Sequence, residues 1–144
     1  MSNFFSRRNG QFLPPVANVL LTTGLFTLMD ALYLGFLRRQ HHVDYFRTTI
    51  NRGTPFARSH FRVLALLVWS LLGLGIESFV LPHSLSVSDA VLKGGLFGFI
   101  VYGVYDLTNL ATINTWTVPF SVQDIIWGTA LSATVAGIRK VMQK

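Results

Sequence analysis

An apolar run reaches from about Ala90 to Ile113 and contains Tyr102-Gly-Val-Tyr-Asp-Leu-Thr-Asn-Leu-Ala-Thr112. As a helix it is long enough to cross a bilayer, which takes roughly 20 residues at about 1.5 Å each. Asp106 stands inside it, with Tyr102 one turn earlier and Asn109 one turn later. Residues three and four apart share a helix face, so these polar groups point the same way. A carboxylate at such depth is costly when it faces lipid. That face must look toward other helices or a watery cleft, and the rest of the chain must supply what surrounds it.

Composition agrees. With 144 residues the chain is read as one domain, 51% hydrophobic and only 12% charged, where soluble domains carry about 25% charged residues. Twelve basic residues against six acidic ones give a net charge of +6. In a membrane protein that excess flanks the spans and meets anionic lipid. Nucleic-acid binding is the other meaning of so basic a chain. The charges bracket apolar runs, however, and form no basic stripe interleaved with aromatics, so no nucleic-acid partner is expected. The chain has no cysteine, which excludes disulfides, thiolate metal sites and cysteine nucleophiles.

The expected fold class is all-α: a polytopic membrane protein built as an up-down bundle of four transmembrane helices. Pro14-Pro15 opens a span over about 16–37, which ends at Arg38-Arg39. An arginine-rich connection, 38–62, carries Arg38, Arg39, Arg47, Arg52, Arg58 and Arg62 with His41, His42 and His60. The other spans are placed at 63–81, 90–113 and 120–138, with Pro82 and Pro119 in the links. Asp89 is expected to help cap the third helix. The first apolar segment is too long for a cleavable signal peptide and lacks a small-residue cleavage site. Gly94 and Gly98, and then Gly128, Ser132 and Ala136, repeat at four-residue spacing, which lets helix backbones approach closely in lipid.

Four of the six acids, Asp30, Glu77, Asp106 and Asp124, fall inside the spans. If the side where the first span begins is A and the opposite side B, alternating directions put Asp30, Asp106 and Asp124 in the B half, beneath the arginine-rich connection. Only Glu77 lies near side A. An intramembrane polar cluster of Asp30, Tyr33, Tyr102, Tyr105, Asp106, Asn109, Gln123, Asp124 and Trp127 is therefore expected. A buried carboxylate needs a cation, a donor or a proton of its own. Two meanings stand side by side: a structural one, in which Tyr, Asn and Trp donors or loop arginines fix helix register, and a functional one, in which the acids hold a cation or proton or orient a polar substrate. Glu77 is expected to reach the interface, so Asp106→Leu should disturb assembly more than Glu77→Leu.

Metal binding and catalysis find no support. Adjacent His41 and His42 do not share a helix face, and no zinc-type histidine spacing occurs. There is no Gly-x-Ser-x-Gly elbow and no phosphate-cradling glycine loop. No metal, cofactor or enzymatic activity is expected.

The run Gly94-Gly-Leu-Phe-Gly-Phe-Ile-Val-Tyr-Gly-Val-Tyr-Asp-Leu-Thr-Asn-Leu-Ala-Thr112 resembles an uncharacterised family of small predicted membrane proteins, known from bacteria and catalogued as a domain of unknown function. Asp124-Ile-Ile-Trp-Gly-Thr129 and Met29-Asp-Ala-Leu-Tyr-Leu-Gly35 resemble it too. The resemblance implies a four-helix membrane protein with no established activity, and its recurring acids match Asp30, Asp106 and Asp124.

Two functional classes follow. In the favoured one the chain is a non-catalytic accessory subunit, packed among other subunits of a larger membrane complex such as an organellar energy-converting one. In the other it works alone or as an oligomer and carries a proton, cation or small polar solute through the acidic cluster. The membrane is read as a bacterial-type or mitochondrial inner membrane, with anionic lipid at the basic segments. Six basic residues fall on each side (Arg7, Arg8, Lys93, Arg139, Lys140 and Lys144 against the six of the connection), so orientation stays open.

Overall fold

A computed structural model describes residues 14–37, 43–45, 47 and 60–143. Among these residues there are helices and turns and no strand. Helix α1, Val16–Leu32, continues as a π-helical turn over Tyr33–Leu37. Helix α2, Phe61–Gly75, widens into a π turn over Ile76–Val80 and tightens into a 3-10 turn over Leu81–His83. Helix α3 is Val87–Thr112 and helix α4 is Val118–Met142. Arg38, Arg39, Arg52 and Arg58 lie outside the described residues, while Arg47 and Arg62 are exposed.

The helix ends follow from local chemistry. Pro15, in extended conformation, opens α1, and its carbonyl accepts from Asn18 N at 3.0 Å. Pro82 sits where α2 stops, because proline lacks the donor that another turn needs. Ser86 caps α3: its Oγ accepts from Asp89 N at 3.1 Å, while the Asp89 carboxylate accepts from Leu85 N at 2.8 Å. The carboxylate thus reaches one residue beyond the cap, a variant of the capping box, in which it would accept from the cap residue itself. Lys93, one turn on, pairs with Asp89 at 2.8 Å. Pro119 occupies the first turn of α4, where a missing N–H costs nothing.

The apolar surface faces outward. Leu20, Leu28, Leu64, Leu71, Leu92, Phe99, Val104 and Leu107 are exposed, whereas Thr22, Asp30, Glu77, Asp106, Ser132 and Arg139 are buried. A water-soluble fold shows the reverse preference. Three segments, Val16–Gly35, Phe61–His83 and Val87–Thr112, are long and apolar enough to cross a membrane. The fourth expected crossing is not among them. At 25 residues α4 is long enough, but Gln123, Asp124, Arg139, Lys140 and a scatter of Ser and Thr dilute its apolar character.

Contact between α3 and α4 is the most extensive in the molecule, and small residues make it. A Cβ added at Gly94 would stand 2.5 Å from that of Ala136. One at Gly98 would strike the Gly128 carbonyl and lie 2.7 Å from Ser132 Oγ, and one at Gly128 would enter the Tyr102 ring. Rising numbers on α3 thus meet falling numbers on α4, so the two helices run antiparallel. Helices α1 and α2 are antiparallel by the same test, since Thr22 meets Glu77 and Asp30 meets Trp69. A buried cluster of Phe26, Leu72, Ile76, Val80, Ala90, Leu131 and Val135 joins all four helices. Helix α2 approaches α3 chiefly at Gly75, against Phe97, and through its π turn; toward side B the two helices part.

The close approach gives a direct test. Gly98→Ala must force α3 from α4 and is expected to cost about 1–3 kcal/mol. Gly24→Ala, with open space around the added methyl, should be neutral or stabilise by up to about 1 kcal/mol through helix propensity. Thermal unfolding of the two variants in mild detergent, followed by circular dichroism, checks the order.

Candidate functional site

Two polar clusters occupy opposite halves of the helix assembly. In the B half, Asp30 of α1 accepts one indole N–H on each carboxylate oxygen, Trp127 Nε1 at 2.8 Å on Oδ1 and Trp69 Nε1 at 2.9 Å on Oδ2. Donors from α4 and α2 therefore converge on one acid of α1. One turn on, where α1 widens into its π turn, Tyr33 stacks on Trp127 with ring centroids 3.7 Å apart and planes within 9°. Its hydroxyl accepts from Gln123 Nε2 at 3.3 Å.

Asp106 of α3 is fully buried. Its Oδ1 receives part of a forked bond from Trp116 Nε1 at 3.3 Å, the other branch reaching Ser121 Oγ at 2.9 Å. Its Oδ2 has no hydrogen-bond partner, and the carboxyl of Asp124, in the second turn of α4, is its electrostatic neighbour. Trp116 is held edge-on by Tyr105 at 6.0 Å, by Phe120 at 5.1 Å and by Tyr45 at 6.1 Å. Tyr45 comes from the 38–62 connection; it stacks on Phe120 at 4.0 Å, and its hydroxyl accepts from Thr117 N at 2.9 Å.

Between these groups lies a cavity of about 380 Å³ whose lining includes Asp30, Asp124, Trp69, Tyr102, Trp116 and Trp127. Among the described residues no basic one lines it. The carboxyls and ring edges are its polar features; the remainder is aromatic or aliphatic.

The second cluster, in the A half, is a closed ion pair. Arg139 Nε, in the last turns of α4, stands 2.8 Å from Glu77 Oε1, and both side chains are 3% exposed. Thr22 of α1 completes it, donating to Glu77 Oε1 at 2.5 Å and accepting from Arg139 Nε at 2.8 Å. In the wide turn of α2 three consecutive residues, Ile76, Glu77 and Ser78, are buried together, which sets Glu77 against both α1 and α4.

Comparison with known proteins fits this picture of polar groups inside an apolar shell. The family profile described as "Predicted membrane protein (DUF2177)" matches residues 16–140. The chain belongs to that family. Its members are predicted membrane proteins of unknown function, and the matched stretch takes in α1, α2, α3, α4 as far as Lys140, and all the acids of both clusters. No curated protein and no solved structure matches the chain.

In this DUF2177 protein the nine residues singled out for the polar cluster come together in the B half, each by its own contact. Asp30, Tyr33, Gln123 and Trp127 form the first constellation, and Asp106 and Asp124 the second. Tyr102 covers Gly128 and lines the cavity with the half-exposed Tyr105. Asn109 neighbours Tyr105, and its buried Nδ2 has no acceptor. Sequence reasoning missed Trp69, Trp116, Ser121 and Tyr45, whose roles depend on which way each side chain turns.

Glu77 requires a correction. It does not reach the interface: it is 4% exposed and locked to Arg139. Arg139, counted among the flanking basic residues, turns inward and leaves the balance of charge between the two sides. The signal was present, since an acid inside a span demands a cation and Arg139 is on the same side.

Removing one partner of a buried pair strands the other, a cost of about 3–5 kcal/mol. Glu77→Leu is therefore expected to destabilise the protein at least as much as Asp106→Leu, the reverse of the sequence-based order. The double change Glu77→Leu with Arg139→Leu should recover most of the loss. Denaturant unfolding of the three variants in detergent reads both results.

Proposed function

We propose that this protein is a membrane carrier that receives a small cation or polar solute in the B-half cavity, and that α4 is the fourth crossing of an up-down bundle in a bacterial-type or mitochondrial inner membrane. The observation that carries the reading is Asp124: a carboxyl lining a cavity of ligand size, with no basic residue among the described ones on its walls. Binding cavities of about 300–1,000 Å³ with few polar groups are the usual form of small-molecule sites. An acid held purely for helix register is better served by a closed pair, as Glu77 is by Arg139. The groups present bind and orient; they include no nucleophile–base pair, so the function is read as non-catalytic.

The short polar margin of α4 supports its place in the bundle. Its Gln123, Asp124 and Arg139 are directed to α1, α3 and α2 respectively, and its outward residues include Val122, Ile126, Ile138 and Val141. The lipid bilayer is the surrounding partner.

Uptake of methylammonium and rubidium into liposomes that hold the purified chain tests the proposal. Flux above empty liposomes is expected, reduced at least about tenfold by Asp124→Asn and unchanged by Asp89→Asn. No flux, together with co-migration of the chain with a large complex in mild detergent, would favour the accessory-subunit reading.

A further inference from the structure

The shape of the cavity narrows the solute, given the carrier reading. Half of its lining is aromatic, with the indoles of Trp69, Trp116 and Trp127 and the phenols of Tyr102 and Tyr105 beside Asp30 and Asp124. Both oxygens of Asp30 are taken by indole donors. That leaves Asp124, backed by the unpartnered Oδ2 of fully buried Asp106. A hard metal cation needs six or more oxygen ligands or a retained water shell. An organic ammonium ion needs little more than ring faces and one counter-charge.

The opening points the same way. Val68 of α2 and Val101 and Tyr105 of α3 line the cavity, yet they are 55%, 37% and 53% exposed. The gap where α2 and α3 part therefore faces sideways, between exposed Leu64 and Leu71 on one helix and Val104 on the other. In a membrane that surface meets acyl chains.

We propose that the cavity binds a monovalent organic ammonium ion with an apolar body, admitted sideways from the bilayer between α2 and α3, with Asp124 as its counter-charge and the indole and phenol rings as its cage. The step involves no covalent chemistry.

The test uses the full chain in lipid nanodiscs and reads tryptophan fluorescence, since all three tryptophans line the cavity. The probes are benzyltrimethylammonium and neopentylbenzene, its uncharged counterpart of the same shape, with sodium and magnesium chloride as competitors. Saturable binding of the ammonium, at least about tenfold tighter than the neutral probe, is expected. Asp124→Asn should erase the difference, and neither salt should compete beyond ionic screening. Equal binding of the two probes, or displacement by magnesium at low concentration, would overturn the assignment. The probe comparison is made on the unaltered chain, so it stands even if the variant does not fold. Rubidium flux without ammonium binding would sink this inference and spare the carrier reading, whereas ammonium binding without any flux would do the opposite.

Discussion

The indole N–H groups of Trp69, Trp116 and Trp127 make the interior of this protein tolerable. A carboxylate taken out of water must be given donors or a counter-charge, and the stabilisation of hydrogen bonds to a charged group grows in a medium of low dielectric. Among the described residues of the B half the donors are neutral: two indoles hold Asp30 and one reaches Asp106. Neutral donors satisfy an acid without cancelling its charge. In the A half Arg139 both satisfies and neutralises Glu77. The two ends of the assembly therefore differ in kind, one electrically closed and the other carrying negative charge around a cavity.

That difference depends on how closely the helices are allowed to pack. Where Gly94 and Gly98 meet Ser132, Ala136 and Gly128, α3 and α4 come into backbone contact, gaining the van der Waals attraction that replaces the hydrophobic effect between helices in lipid. Their register brings Asp106 beside Asp124. Helix α2 closes against α3 only near its π turn, and the parting toward Phe61 leaves room for a cavity lined by rings. π turns often mark functional positions in helices; here they follow Asp30 in α1 and enclose Glu77 in α2.

Much of the plan was legible in the sequence. An acid inside an apolar run long enough to cross a bilayer forces an inward face, and alternating helix directions then place Asp30, Asp106 and Asp124 in the same half without any knowledge of packing. The small-residue spacing likewise marked faces able to pack closely, without naming which helix each would meet. What stayed hidden depends on rotation about each helix axis. Trp69 reads as one more apolar residue of α2 until its ring is seen to turn toward α1, and Trp116 as part of a turn. Arg139 reads as an interfacial flank because a basic residue after an apolar span usually is one; only the burial of Glu77 in a widened turn shows where it points. A π turn shifts the phase of everything after it, which no 3.6-residue period anticipates.

The three tryptophans allow the central claim to be measured residue by residue. In ¹⁵N-indole NMR spectra of the protein in nanodiscs, the account predicts three side-chain signals: Asp30→Asn moves those of Trp69 and Trp127, and Asp106→Asn moves that of Trp116. If Asp30→Asn leaves all three signals in place, the acids are not held inside the assembly by indole donors and the account is contradicted.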